Sequence, residues 1–305
     1  MVNSGEASAC GKLMGNIVLN PGTFDQTGTY IPEADEEAEQ WTRIGSNEVP
    51  YTGTFDGSGF TISGLYINTD SDYQGLFGWI QDGAVIKNLG VTDSFVNGND
   101  FAGGVVGFAD ECYIVNCYHD GVVRGNNEIG GIMGYNFGKV ENCYNVGYVY
   151  GSSNVGGVSG DNYNTIEGCY NTGAVSGFTI TGGAVGYNYL AGIVENTYNI
   201  GEVSAESDFI GGVVGVNDEG TVKNTYNIGK VSGGDYIGGA VGFNYGSVTN
   251  SFYLSGSAED NGLGTAINEG EFTDKNTFTD WNFDTVWYMD KNLGRPVLTN
   301  IPEKK

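Results

Sequence analysis

The chain has 305 residues and a formal net charge of −25 at pH 7, set by 12 Lys and Arg against 37 Asp and Glu. That charge repels phosphate backbones and anionic lipid alike, which argues against nucleic acid and membrane surfaces as partners, and no apolar run is long enough to cross a bilayer. Apolar residues make up 39% and aromatics 13%, enough to bury a core, so a disordered chain is excluded.

Residues 1–64 carry no repeat. The text at Met1 is polar from the start (Val2-Asn3-Ser4-Gly5-Glu6) and has no secretory signal. Residues 13–19 read as a strand, the acidic run 33–40 as one or two helical turns, and 51–65 as strand, glycine turn, strand. This stretch is expected to form an N-terminal cap and an irregular first coil.

From residue 65 onward two motifs recur in phase. The first is Gly-Gly-x-x-Gly, closing at Gly107, Gly134, Gly160, Gly186, Gly215 and Gly242 after a degenerate copy closing at Gly78; the steps are 29, 27, 26, 26, 29 and 27 residues. The second reads Asn116-Cys117-Tyr118, Asn142-Cys143-Tyr144, Gly168-Cys169-Tyr170, Asn196-Thr197-Tyr198, Asn224-Thr225-Tyr226 and Asn250-Ser251-Phe252. Short β-branched and aromatic runs punctuated by Gly, Asn and Asp favour strands over helices. A unit of 26–29 residues holds about three strands and three turns, too few for a propeller blade of about 40 residues. The expected fold class is therefore all-β: a single-stranded parallel β-helix (β-solenoid), right-handed, of about seven to nine coils with N- and C-terminal caps. Strands of successive coils would pair at about 4.8 Å, so equivalent residues stack into ladders and seven coils span roughly 30–35 Å.

The ladders assign roles. The slot Leu89, Cys117, Cys143, Cys169, Thr197, Thr225, Ser251 is small throughout and reads as inward. The next slot (Tyr118, Tyr144, Tyr170, Tyr198, Tyr226) is an aromatic column. Strict alternation turns it outward, but an Asn turn can break alternation, so both parities stay open. If exposed, those five tyrosines are candidate ligand contacts whose rings stack on sugar faces or partner side chains; otherwise they are packing. The preceding Asn fits a turn that tolerates left-handed backbone or an amide ladder.

Other chemistry is thin. The single histidine, His119, rules out multi-histidine zinc sites and occupies a repeat slot held elsewhere by Asn145, Asn171, Asn199 and Asn227. Three scattered arginines (Arg43, Arg124, Arg295) form no basic cluster for an anionic sugar. Of five cysteines (Cys10, Cys112, Cys117, Cys143, Cys169), three share one ladder. A column of buried free thiols is favoured, and a bridge between stacked coils also fits the disulfide distance range. The acidic loops 68–72, 217–219 and 259–261 lack a complete calcium-loop pattern; structural calcium is the one cofactor they raise, against plain solvated turns. Many carboxylates leave a glycoside hydrolase as the enzyme rival, although Glu141, Glu167 and Glu195 sit in degenerate repeat slots.

After residue 264 come Phe272, Phe278, Trp281, Phe283, Val286, Trp287 and Tyr288, then Arg295-Pro296-Val297-Leu298, which reads as an aromatic C-terminal cap plugging the last coil. Length alone gives about two domains. The repeat instead gives one elongated domain: cap and irregular coil 1–64, repeat β-helix 65–264 and cap 265–305.

These repeats, together with Trp41-Thr42-Arg43-Ile44-Gly45, the 51–65 stretch and the segments 281–287 and 294–298, resemble bacterial GLUG-motif proteins. The resemblance covers nearly the whole chain. It implies a non-catalytic module of a larger secreted or cell-surface protein, of the kind found in adhesin-like proteins and in the non-catalytic regions of IgA-specific metalloproteases. An adhesin-like domain meeting host or environmental glycans or matrix proteins, a rigid stalk and a scaffold without its own ligand all accord with it. The resemblance also implies that apolar residues precede Val2 in the longer parent chain, which would supply signal and anchor. It carries over no catalytic residue and no cofactor, and the module is expected to be monomeric.

Overall fold

A computed structural model describes residues 6–32 and 37–301. The chain winds as a β-solenoid of about seven turns whose walls are three parallel sheets of 14, 15 and 6 strands. One coil shows the plan. Met133–Glu141 lies in the first sheet, Tyr144–Asn145 and Tyr148–Tyr150 in the second, and Ser153–Gly156 in the third. Each pairs in parallel with its equivalent 26 residues on: Met133 with Ser159, Tyr144 with Tyr170, Val149 with Val175, Val155 with Thr181. The interior is a stack of fully buried Val, Ile, Ala and Cys side chains.

The inward reading of the Cys slot holds: Leu89, Cys117, Cys143, Cys169, Thr197, Thr225 and Ser251 are all buried. All five cysteines are free thiols, with Cys10 exposed. The Asn before each slot does both jobs expected of it. Asn88, Asn116, Asn142, Asn196, Asn224 and Asn250 have φ between 47° and 54°, with Gly168 at 63°, and neighbouring amides bond from Asn116 to Asn88 at 3.0 Å. Amides suit that left-handed turn because their short side chains bond locally.

Two further amide ladders run inside the rod. His119, Asn145, Asn171, Asn199 and Asn227 link successively at 2.8–2.9 Å. Asn136, Asn162, Asn188, Asn217 and Asn244 link at 2.6–2.7 Å. Buried amides are stable only when satisfied, and here each coil satisfies the next. The first ladder explains the second glycine of Gly-Gly-x-x-Gly: a Cβ at Gly157 would sit 2.3 Å from Asn171 Cγ and 2.3 Å from the Gly183 carbonyl oxygen.

The ends differ from expectation in four ways. Residues 13–19 are not one strand: Gly11–Lys12 and Ile17–Val18 flank a bend and pair outside Thr54–Asp56 and Thr61–Ser63 as a partial extra coil. An antiparallel hairpin of Gly22–Phe24 and Tyr30–Pro32 follows, which no repeat signal announced. The helical turns expected over 33–40 lie partly outside the described residues; 37–40 are not helical. Finally, the aromatic C-terminal segment is not an end plug. Residues nearer 260 close the core end, with Asn261 Nδ2 donating to the carbonyls of Val241 and Gly242 at 2.9 and 3.0 Å, Leu263 against the core, and Thr265–Ile267 pairing with Phe252–Leu254. The aromatic arm beyond Asn268 folds back along the side of the rod.

Candidate functional site

The tyrosine column points away from the solenoid interior, as strict alternation requires, yet it does not face solvent. Tyr118, Tyr144, Tyr170, Tyr198 and Tyr226 stack at centroid distances of 4.7–5.0 Å with interplanar angles of 3–11°. The last four are at most 4% exposed, under Phe272, Phe278, Trp281, Trp287, Leu298 and Ile301 of the arm. Trp287 Nε1 donates to Asn196 Oδ1 at 3.2 Å, Arg295 donates to the Tyr226 hydroxyl at 2.7 Å, and that hydroxyl donates to the Pro296 carbonyl at 2.7 Å. The rings thus stack on one another and on the arm, leaving no open face for a sugar along 144–226. Tyr118, at the N-terminal end of the column, is half-buried.

A second, half-buried aromatic stack lies on the outer side of the first sheet. Trp79, Phe108 and Tyr135 stack at 4.0 and 4.8 Å, and Tyr163 meets Tyr135 and Phe137 at 4.9 and 5.4 Å. These residues come from varied letters at equivalent positions, so no repeated motif marked them.

Two carboxyls interrupt that surface. Glu128 holds the left-handed slot (φ 54°) that Tyr73 and Phe101 hold in earlier coils, and its carboxyl is pushed up to about 7 by burial and by Asp100 and Asp72. Asp161 is 4% exposed, accepts from Asn154 Nδ2 at 2.7 Å, and is raised well above the usual carboxylate range by burial and by Glu128. A glycosidase pair needs one protonated acid and one ionised partner. Here burial raises both carboxyls, Glu128 to about 7 and Asp161 well above the usual range, so neither is held as the fully ionised partner at neutral pH.

The remaining acids tie the structure together. Glu141, Glu167 and Glu195 stack in register. Lys139 bridges Glu141 and Glu167 at 2.9 and 3.1 Å and Lys223 holds Glu195 at 2.9 Å. The bond from Tyr113, then that from Lys139, keeps the Glu141 carboxyl low. Asp72 caps Asn99 and Asp100, and Asp218 accepts from the Tyr187 hydroxyl at 2.8 Å. Among the described residues no three His, Cys, Asp or Glu come together at metal-binding reach. Burial raises the Cys112 thiol to about 12 and Cys143 well above its usual value, so both are poor nucleophiles.

A cavity of about 480 Å3 opens where the loop after residue 39 crosses the first coils, lined by Trp41, Arg43, Val49, Ile67, Thr69 and Gln74 among others. Its loop wall, residues 40–49, lies outside the repeat.

No protein-family model matches the chain. It is 34% identical over 88 residues to "Halomucin" of Haloquadratum walsbyi, covering 28% of this chain and 1% of that protein. It is 39% identical over 57 residues to a "Putative Gly-rich membrane protein" of Evansella cellulosilytica, covering 18% of this chain and 7% of that protein. The chain therefore spans only a small fraction of these relatives' length. The crystal structure of a "putative immunoglobulin A1 protease" from Bacteroides ovatus shares the fold, with a TM-score of 0.61 over 96% of this chain and 86% of that one at 20% identity.

Proposed function

We propose that this chain is a non-catalytic rod module of a larger secreted or cell-surface protein, serving as a rigid stalk that sets the position of other parts. The observation that carries this reading is the continuity of the side-chain ladders. Interior amides, the Cys slot and the tyrosine column each run coil to coil and are spent on one another. The similarity of short stretches to much longer surface-type proteins supports a modular role, and the Bacteroides ovatus neighbour is compatible with it. An adhesin-like role toward glycans or matrix proteins is the second reading; it is favoured by the half-buried aromatic stack of Trp79, Phe108 and Tyr135 on the outer side of the first sheet, since the column at 144–226 is covered by the arm.

Small-angle scattering of the purified chain should give an elongated monomer, and incubation with polysaccharide and peptide panels should release neither reducing ends nor new amines. Turnover abolished by Glu128→Gln would overturn the non-catalytic reading in favour of a hydrolase.

A further inference from the structure

We propose that the cavity between the 40–49 loop and the first coils binds one neutral hexose unit of a glycan. The inference goes beyond the rod reading and does not depend on it. The wall is held rigidly before any ligand arrives. Trp41 N–H donates to the Tyr66 carbonyl at 2.7 Å and Trp41 Nε1 to the Leu76 carbonyl at 3.3 Å. Gln40 exchanges two bonds with the Asn68 backbone at 3.0 Å, standing in for a strand. Ile44 bridges to Phe77 and shares backbone bonds with Leu76 and Gly78 at 3.0 and 2.9 Å. Arg43 lies across Gly78, where a Cβ would come within 2.2 Å of its Cδ. Preorganisation of this kind removes the ordering cost that weakens loop-borne sites.

The lining fits a sugar. About 480 Å3 is within the range of small-ligand pockets and accommodates a pyranose. Trp41 contributes an indole and Val49 and Ile67 apolar wall. Arg43 and Thr69 add polar side chains to the lining. Gln74 is 3% exposed and its amide nitrogen donates to the Asp72 carbonyl at 2.6 Å, which fixes this polar side chain in the wall. An indole, an aliphatic wall and polar side chains around a pyranose-sized cavity are the composition that carbohydrate recognition uses. Charge decides between neutral and acidic sugars: Glu48 stands beside Arg43, and a chain of net charge −25 repels a uronate polymer.

The test is saturation-transfer NMR and titration of the full chain with glucose, galactose, mannose, their disaccharides and glucuronate. At least one neutral sugar should bind with a Kd of about 1 mM or tighter, and affinity should not change with added salt. Val49→Trp fills the rim of the cavity from a partly exposed position and should abolish binding with melting unchanged. Trp41→Phe, which keeps a ring but loses the bond to Leu76, should weaken it by about tenfold or less. Absence of binding by every neutral sugar, tighter binding of glucuronate than of glucose, or full binding by the Val49→Trp chain would each overturn the proposal. None of these results would bear on whether the chain is a rod.

Discussion

His119 Nδ1 lies 2.9 Å from Asn145 Oδ1, which makes the chain's single histidine the first rung of an amide ladder. Asn145 Nδ2 already donates to the Gly147 carbonyl and to Asn171 Oδ1 at 2.7 and 2.8 Å. Its oxygen must therefore accept, so His119 carries its proton on Nδ1 and its Nε2 accepts from the Ser94 hydroxyl at 2.9 Å. The ring is fully buried, and burial pulls its pKa below the usual 6.5 against the opposing bond from Asn145. The unfolded chain thus binds more protons than the folded one below about pH 6.5, and stability falls as pH drops through that range. His119→Asn should remove this acid loss. At pH 7 it should cost no more than about 1–2 kcal/mol, the scale of a hydroxyl left without its acceptor. Urea unfolding of both chains at pH 5 and pH 7 measures it; equal acid sensitivity would place the effect elsewhere.

Glu128 tilts stability the other way. Its folded carboxyl sits at about 7 against an ordinary 4.5, so ionisation favours the unfolded chain, and stability falls as pH rises from about 4.5 to about 7 and is level above. Asp161 acts in the same direction. Asp72, Asp100 and the Tyr73, Tyr135 and Tyr163 hydroxyls face this region, and no cation contributes to either shift. Glu128→Gln should stabilise the rod at pH 8 by about 1–2 kcal/mol, discounted from the full shift because the side chain is partly solvated, and leave it unchanged at pH 4. The same urea series shows it, and a gain that persists at pH 4 would mean packing, not charge.

Gly157 tests the close approach of coils. Its Cβ position is taken by Asn171 Cγ and the Gly183 oxygen, both at 2.3 Å, and backbone cannot yield as a flexible side chain would. Gly157→Ala should cost roughly 3 kcal/mol or more, toward the upper end of single substitutions. Gly59→Ala meets open space but sits at φ 81°, so only backbone strain of about 1 kcal/mol applies. Differential scanning calorimetry of the pair separates clash from strain.

The repeat made the solenoid legible because its constraints are local and recur. Gly157 must be small, Asn142 must tolerate a left-handed turn, and Cys143 must fit inside, whichever coil they occupy. The features the letters did not reveal depend on segments far apart. The cover over Tyr198 comes from Trp287, 89 residues on in sequence, so alternation assigned the direction of the ring and not its exposure. Tyr73, Phe101, Glu128, Asn154, Ile180, Phe209 and Tyr236 share a left-handed slot with φ of 44–66°, but their chemistry varies and no repeated letter announces it. Glu128 meets Asp161 because two neighbouring aromatic ladders, Tyr73–Phe101 and Trp79–Phe108–Tyr135, are each broken by an acid in adjacent coils. The cavity at Trp41 forms from an excursion that the period excludes.

The arm should open as a unit of its own. Its contacts with the rod are lateral, through the rings of Tyr144 to Tyr226 and Phe252 and four polar bonds that reach Asn196, Tyr226 (twice) and Asn250, whereas the coils are joined to one another by backbone ladders that do not pass through it. Trp287 is the central anchor: 1% exposed, 4.5 Å from Trp281 and 6.0 Å from Tyr198. Trp287→Ala should cost about 3–5 kcal/mol by the usual scale of buried aromatic truncation. That loss should fall on the arm, because local opening draws on the least-connected element. Trypsin should then cut after Lys291 many-fold faster, while the solenoid keeps its far-UV spectrum and its main melting transition. If the whole chain instead melts earlier in a single transition with no rise in cleavage, the arm belongs to the same cooperative unit as the coils, and the tyrosine column is part of the core rather than a face that the arm covers.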